Sequence, residues 1–134
     1  MTSIIDIEGI GPAYAAKLKE IGINAVEALL KAGATPKDRE EISEKTGIDK
    51  SLILEWVNLA DLYRIKGVGE EYSDLLEEAG VDTVVELAQR NPENLHEKLL
   101  AMNAEKKLVR RVPSLAEVQD WVEQAKALPR VITY

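Results

Sequence analysis

The side chains best suited to binding chemistry lie in a short basic run, Glu105–Arg111. Lys107, Arg110 and Arg111 are spaced i, i+3 and i+4, so a helix would place all three cations on one face. Such a face can bind a phosphate or an acidic partner. The alternative interpretation is a solvated helix face, or arginines that pair with the surplus carboxylates of the chain.

The sequence contains no arrangement that is typical of catalysis. Cysteine is absent, which excludes a disulfide framework, a thiolate zinc site and a cysteine nucleophile. The single histidine, His96, has no second histidine or cysteine to share a metal ion, so we expect no metal site. No serine has a histidine at a recognisable spacing. We therefore expect no catalytic residues, no cofactor and no enzymatic activity.

The charge of the chain is acidic and evenly spread. The net charge is −7, with 7 basic and 11 acidic residues in 1–62, and 10 and 13 in 63–134. Long-range electrostatics oppose nucleic acid, whose binding releases counterions through Lys and Arg, so any DNA contact has to be local. No apolar run approaches the about 20 residues that span a bilayer, and no signal-peptide pattern is visible. These features favour a cytoplasmic protein without a membrane partner.

An internal repeat organises the chain. Each copy opens on a glycine turn: the first glycine turn is Gly9-Ile10-Gly11 and the second is Gly67-Val68-Gly69. At an offset of 58 residues, the other matching positions are Ile7/Ile65, Tyr14/Tyr72, Leu18/Leu76, Gly22/Gly80, Val26/Val84 and Leu29/Leu87. The offset becomes 65 at Trp56/Trp121 and Ala60/Ala125, which indicates an insertion of 7 residues near 103–113. The repeat predicts two units, 1–62 and 63–134.

Helix signals recur in both copies. Tyr14, Leu18 and Ile21 have helical spacing after the first glycine turn, and the second copy repeats this pattern. Asn24 and Asp82 are predicted to cap the following helix. Further helix starts are predicted at Thr35-Pro36, Asp49, Asn91-Pro92 and Ser114, with a turn at Thr46-Gly47-Ile48.

The fold class follows from these signals. No stretch of useful length alternates like a strand, so we predict an all-α fold whose two units pack as one compact protein. Trp56 and Trp121 lie in apolar stripes at matching repeat positions, which favours packing in the core over stacking on bases. The segments Leu62–Ile65 and Leu128–Val131 end the two copies alike.

The repeated units resemble known protein families. The glycine turns are similar to the helix-hairpin-helix motif of DNA-repair and recombination proteins. Leu18–Ala28 is similar to part of the N-terminal helical domain of eukaryotic and archaeal strand-exchange recombinases. The whole chain resembles a bacterial family of unknown function made of helix-hairpin-helix units. The residues behind that match are Trp56–Leu62, Arg64–Gly69, Leu108–Ser114 and Leu128–Val131. This resemblance implies tandem helix-hairpin-helix units, SAM-like or recombinase N-terminal-domain-like.

The resemblance implies that the glycine turns contact phosphate through the N–H groups of the following helix. The residues implied are Gly9, Ile10, Gly11, Lys66, Gly67, Val68 and Gly69, with Lys107, Arg110 and Arg111 from the basic run. The chain departs from the pattern, since Pro12 removes a donor and Glu70 and Glu71 would repel a phosphate. Two functions therefore stay open: weak, sequence-independent DNA binding, or an interaction or scaffold module that binds another protein. Neither of these two functions predicts an oligomeric state.

Overall fold

The regular structure of the chain is helical. The computed structural model describes residues 2–134, which contain eight α-helices, a short 3₁₀ helix and no β-strand. The predicted all-α class is therefore confirmed. The chain divides into two compact units: the first runs up to Asp61 and includes Arg130–Tyr134, and the second is Leu62–Pro129.

The first unit begins with the 3₁₀ helix, Ile4–Asp6. The helices that follow are α1 (Pro12–Glu20), α2 (Val26–Ala32), α3 (Pro36–Thr46) and α4 (Lys50–Leu62). Its core is aliphatic apart from one tryptophan, since the chain has no phenylalanine. The largest fully buried side chains of this unit are Ile7, Leu18, Leu29, Ile53, Trp56 and Leu59.

The second unit contains α5 (Glu70–Glu78), α6 (Val84–Ala88), α7 (Pro92–Lys106) and α8 (Leu115–Ala127). Helix α8 packs against both α6 and α7, and α5 packs against α7. Their buried faces form one cluster that includes Leu75, Leu76, Leu87, Leu99, Val118, Trp121 and Val122. Burial of these aliphatic side chains is the main stabilising contribution to such a core.

The two glycine turns have the same backbone conformation. The first glycine has a φ of +94° at Gly9 and +96° at Gly67, in the left-handed region that favours glycine. In each turn, the N–H of the central residue donates to the carbonyl three residues earlier, at 3.1 Å in both. The helix that follows each turn ends at a glycine with a φ of +86° at Gly22 and +92° at Gly80. The repeat seen in sequence thus corresponds to matching backbone geometry.

A tryptophan from the last helix of each unit packs beneath the glycine turn. A Cβ atom at Gly9 would lie 3.1 Å from Nε1 of Trp56, and one at Gly67 would lie 3.2 Å from Nε1 of Trp121. Each indole also contacts the tyrosine that follows the turn, with ring centroids 5.0 Å apart in the first unit and 5.2 Å apart in the second. The two indoles are 1% and 2% exposed. Their predicted place in the core is confirmed.

Most predicted helix starts are confirmed, but two are wrong by one residue. The N-cap of α2 is Ala25 instead of Asn24, and the N-cap of α6 is Thr83 instead of Asp82. Thr83 has its own hydroxyl, which accepts a hydrogen bond from the N–H of Glu86 at 3.4 Å. Ala25 has no capping group, and its extended backbone forms an isolated bridge with Ser3.

The boundaries of the units differ from the predicted 1–62 and 63–134 at two places, the first being Leu62, which belongs to the second unit. Residues 130–134 return to the first unit, so the segment at Leu128–Val131 does not simply close the second copy. The region predicted to hold the insertion, 103–113, covers the end of α7 and its connection to α8. Within residues 2–134, none of the helices is both long enough and apolar enough to cross a membrane.

Candidate nucleic-acid interface

The first glycine turn leads directly into the N-terminus of α1. Gly11 is the N-cap, no side chain caps the helix, and its first turn carries no carboxylate. The space beside Gly11 is open, since a Cβ there would meet no atom within 4 Å. The N–H groups of a first turn lack intrahelical partners and attract anions together with the helix dipole. Pro12 removes one of these donors, which leaves the N–H groups of the residues that follow.

The second glycine turn has the same type of backbone turn, but the helix that follows it begins with two carboxylates. Glu70 and Glu71 lie in the first turn of α5, where carboxylates satisfy the helix dipole and repel a phosphate. Gln124 also binds the residue before the turn. The N–H of Lys66 donates to Oε1 of Gln124 at 2.8 Å, and Nε2 of Gln124 donates to the carbonyl of Lys66 at 3.1 Å. The second glycine turn is therefore fastened to α8.

The exposed faces of α1 and α5 differ in charge although the helices occupy equivalent places in the repeat. At the offset of 58 residues, Pro12 corresponds to Glu70 and Ala13 to Glu71. Further along, the pairs are Ala16/Asp74 and Lys19/Glu77. Ala13, Ala16 and Lys19 are all exposed. The first copy is thus neutral to basic on this face, and the second copy is acidic.

The basic run does not form the predicted helix face. Helix α7 ends at Lys106, and Lys107 is its C-cap with a left-handed φ of 51°. Arg110 and Arg111 lie in the non-helical connection to α8. The side chain of Asn103 holds this connection by accepting a hydrogen bond from the N–H of Val109 at 2.9 Å. The expectation that helical spacing would bring the three cations together was wrong.

Carboxylates pair with both arginines of the run. Nε of Arg110 lies 3.5 Å from Oε1 of Glu71, on an exposed side chain. The guanidinium of Arg111 donates to both oxygens of Glu117, from Nη1 at 2.8 Å and from Nη2 at 2.9 Å. These contacts correspond to the alternative interpretation of the basic run, in which surplus carboxylates pair with the arginines. They also reduce the positive charge that a phosphate would meet here.

Glu117 belongs to the capping box of α8. Its Oε1 accepts the N–H of Ser114 at 3.0 Å, while the hydroxyl of Ser114 accepts the N–H of Glu117 at 3.1 Å. Hydrogen bonding from Arg111 and then from the Ser114 backbone lowers the pKa of Glu117 to about 2. The same contact with Glu117 raises the pKa of Arg111. Both groups therefore stay charged, and the pair fixes the start of α8.

Replacing Glu117 with glutamine is expected to lower the melting temperature at neutral pH and to have little effect near pH 2. The pKa of this carboxyl falls from 4.5 to about 2 on folding, so it stabilises the protein above pH 4.5. That contribution is lost as the pH falls from 4.5 towards 2. Melting curves of the wild type and Glu117→Gln across this range should converge at low pH. A constant difference would show that the charge of Glu117 does not stabilise the fold.

An apolar groove lies beside α1 in the first unit. The 3₁₀ helix and α1 line a cavity of about 400 Å³. Its apolar wall includes Ile5, Pro12, Ala15 and Ala16, and Lys19 contributes a cation. Ile5 is 47% exposed, which is unusual for a large aliphatic side chain. No motif in the sequence marks this groove; the one signal is that acidic residues replace Pro12, Ala16 and Lys19 in the second copy.

His96 and one cluster of acidic side chains each make contacts with neighbouring segments. Nε2 of His96 lies 3.0 Å from the carbonyl oxygen of Pro113, so the ring joins α7 to the connection before α8. One acidic group, Asp74 with Glu77 and Glu78, brings three carboxylates within 4.8 Å of one another. Lys106 forms an ion pair with Glu78. These contacts assign no catalytic role to either feature.

The fold and the site define an all-helical protein of two compact units, each with a glycine turn seated on a buried tryptophan. The chain belongs to the family described as Domain of unknown function (DUF4332), whose model matches residues 8–128. The expected membership of a family of unknown function is thereby confirmed. No solved structure matches this chain. Its function therefore has to be inferred from the site.

Proposed function

We propose that this chain is a non-enzymatic protein of tandem helix-hairpin-helix units that binds the phosphate backbone of nucleic acid weakly and without sequence preference. The observation that carries the proposal is the start of α1, where a glycine turn meets a helix N-terminus with no capping side chain and no carboxylate. In the helix-hairpin-helix proteins that the chain resembles, this arrangement binds a phosphate oxygen.

The proposed contact is confined to the first glycine turn. Gly9 and Gly11 let the backbone approach a phosphate, and Ala13 adds no charge at the helix start. At the second glycine turn, Glu70 and Glu71 oppose the same ligand. Lys66, Lys107, Arg110 and Arg111 are therefore left out of the proposed interface. One local site on a chain with a net charge of −7 predicts weak, strongly salt-dependent binding.

Replacing Ala13 with glutamate tests this location. The variant places a carboxylate where the second copy has Glu71, so we expect it to weaken binding of short labelled duplex or single-stranded DNA about tenfold, equivalent to about 1.4 kcal/mol. Fluorescence anisotropy at about 50 mM salt is the suitable measurement, because phosphate contacts are strong there. The matched control is Ala104→Glu, which adds the same charge on the exposed surface of α7.

Each outcome of this titration bears on the proposal. Loss of affinity in Ala13→Glu but not in Ala104→Glu supports a contact at the first glycine turn. Equal losses would indicate a long-range charge effect and contradict the assigned location. No binding by the wild type at about 50 mM salt would overturn the nucleic-acid proposal itself.

The apolar groove favours a second candidate function, the binding of another protein. Exposed Ile5 and the neighbouring alanines offer apolar surface, and Lys19 offers a cation for a carboxylate. A complementary partner is a short apolar segment that carries an acidic residue.

Replacing Ala16 with aspartate tests the second candidate, because the second copy carries Asp74 at the equivalent position. A photo-crosslinking residue at Ile5 should capture a partner, and Ala16→Asp should abolish this capture. Ala104→Asp, on α7, is the control that should leave it unchanged. Capture that is insensitive to Ala16→Asp would exclude the groove as the surface that binds the partner. DNA binding gives a separate comparison. If the first proposal is correct, Ala13→Glu should reduce DNA affinity far more than Ala16→Asp does.

A further inference from the structure

Residues 130–134, here called the strap, occupy a surface of the first unit formed by the connection between α2 and α3 and by α3 and α4. The N–H of Thr133 donates to the carbonyl of Ala34 at 2.8 Å. The carbonyl of Thr133 accepts a hydrogen bond from Nη2 of Arg39 at 2.7 Å. Ile132 is 2% exposed. The hydroxyl of Tyr134 lies 3.0 Å from Oδ1 of Asn58. Residues 132–134 of the strap therefore contact the first unit through both main-chain and side-chain groups.

Arg39 makes this surface dependent on an occupant. Its side chain is 6% exposed, and its Nη1 donates to the carbonyl of Gly33 at 2.9 Å. Burial lowers the pKa of Arg39, as expected for a cation that has lost water. The strap supplies the second carbonyl and stacks the Tyr134 ring 5.8 Å from the guanidinium carbon. Without the strap, a buried cation would lose half of these hydrogen bonds.

The second unit shows that a cation is not needed at this point of the fold. Arg39 is the fourth residue of α3 counted from Pro36, and Leu95 is the fourth residue of α7 counted from Pro92. Leu95 is 1% exposed and belongs to the apolar core. Buried ionic groups are often no more stabilising than apolar residues of similar volume. Arg39 is thus better explained by what it binds than by the stability of α3.

Main-chain hydrogen bonds hold the centre of the strap, and side chains add to them. Thr133 is held through its N–H and carbonyl, as in peptides that bind an edge by main-chain hydrogen bonds, and its hydroxyl also donates to the carbonyl of Ala34 at 3.4 Å, while Ile132 is buried. The strap follows Leu128, which packs against the core of the second unit, and Pro129, whose carbonyl accepts a hydrogen bond from Nη2 of Arg64 at 2.7 Å, so the segment free to exchange begins at residue 130. The same five residues from a second molecule would satisfy Arg39 and Ala34 equally well. Exchange of identical segments is a low-cost route to dimers.

We propose that this surface is an exchangeable interface, in which residues 130–134 of one copy of the chain dock on the first unit of a second copy through Arg39 and Ala34. The contacts in the exchanged and unexchanged forms are the same, so the covalent connection alone favours docking within one molecule. For a short connection this advantage corresponds to an effective concentration on the order of millimolar. Exchange is therefore expected as the protein concentration approaches that range.

Two full-length variants with one cysteine each test the exchange. The chain has no cysteine, so when Ala34→Cys and Thr133→Cys carry tags of different mass, the mixed disulfide between them has an intermediate mass and is resolved from the two homodimers. The 2.8 Å backbone hydrogen bond between these residues brings them within the range of a disulfide. After mild oxidation at about 1 mM and about 10 μM, the mixed dimer is quantified on a non-reducing gel. The control pairs Ala34→Cys with Lys126→Cys, an exposed position on α8.

The expected result is a several-fold excess of the Ala34–Thr133 mixed dimer over the control pair at the higher concentration only. Adding Arg39→Leu to the Ala34→Cys partner should reduce the yield to the control level while thermal melting shows that the protein remains folded. A yield equal to the control at both concentrations would overturn the proposal. So would a yield that Arg39→Leu leaves unchanged, since a random encounter would not depend on the guanidinium.

Discussion

Replacing Trp121 with alanine is expected to lower the free energy of unfolding by about 3–5 kcal/mol, the range for deleting a large buried aromatic side chain. The indole is 2% exposed and lies beneath Gly67, with the ring of Tyr72 at a centroid distance of 5.2 Å. Its removal leaves a cavity under the second glycine turn that α5 and α8 cannot close without moving. Urea unfolding followed by circular dichroism measures the loss directly.

The matched control is Leu100→Ala on α7, where the side chain is 41% exposed. Surface changes of this kind are usually within about 0.5 kcal/mol. The chain contains 2 tryptophans, so the Trp121→Ala variant also leaves Trp56 as the sole indole fluorophore and as a reporter of the first unit. A loss of less than about 1 kcal/mol for Trp121→Ala would contradict the role assigned to this indole.

Features that depend on neighbouring residues could be predicted from the sequence. Thr35 before Pro36 caps α3 through Oγ1 at 3.1 Å from the N–H of Asp38. Ser114 and Glu117 form a capping box because the i, i+3 spacing lets each side chain reach the other backbone. The positive φ of Gly47 ends α3, as glycine after a helix commonly does. In each case the deciding contact lies within four residues.

Features set by contacts between distant segments could not be predicted. The helix expected for Arg110 and Arg111 is absent because α7 stops at Lys106, and the connection is then held to α5. The hydroxyl of Tyr72 donates to the carbonyl of Arg111 at 2.8 Å, across 39 residues. Arg110 likewise meets Glu71 on α5. Spacing within the basic run carries no information about these partners.

The contacts of the strap are a second feature that the sequence could not predict, because they join segments far apart in the chain. The charged sequence around Arg39 predicts an exposed helix residue. In the structure, Arg39 is 6% exposed and contacts Thr133, which lies 94 residues away. A pattern of matching copies assigned residues 128–131 to the end of the second unit. The local sequence contains no signal that Ile132 would be buried in the first unit. Burial of a charged residue depends on where its acceptors come from, and here one acceptor comes from the strap.

Replacing Gly9 with alanine is expected to destabilise the first unit by about 1–3 kcal/mol, the range for a non-glycine residue held at an unfavourable backbone conformation. Gly9 has a φ of +94°, and a Cβ there would lie 3.1 Å from Nε1 of the buried Trp56. Gly11, two residues later in the same turn, is the matched control. Its φ is −85° and its Cβ position is open, so Gly11→Ala should cost about 1 kcal/mol or less.

The second glycine turn provides an independent repetition of this comparison. Gly67 has a φ of +96° and a Cβ position 3.2 Å from Nε1 of Trp121, whereas a Cβ at Gly69 would meet nothing within 4 Å. Thermal and urea unfolding of the four alanine variants should therefore show a larger loss at the first glycine of each turn. Equal losses at both glycines would mean that the turns do not depend on the left-handed conformation. DNA binding by Gly11→Ala then separates the two uses of glycine, because a Cβ at this open position can hinder a phosphate without straining the fold.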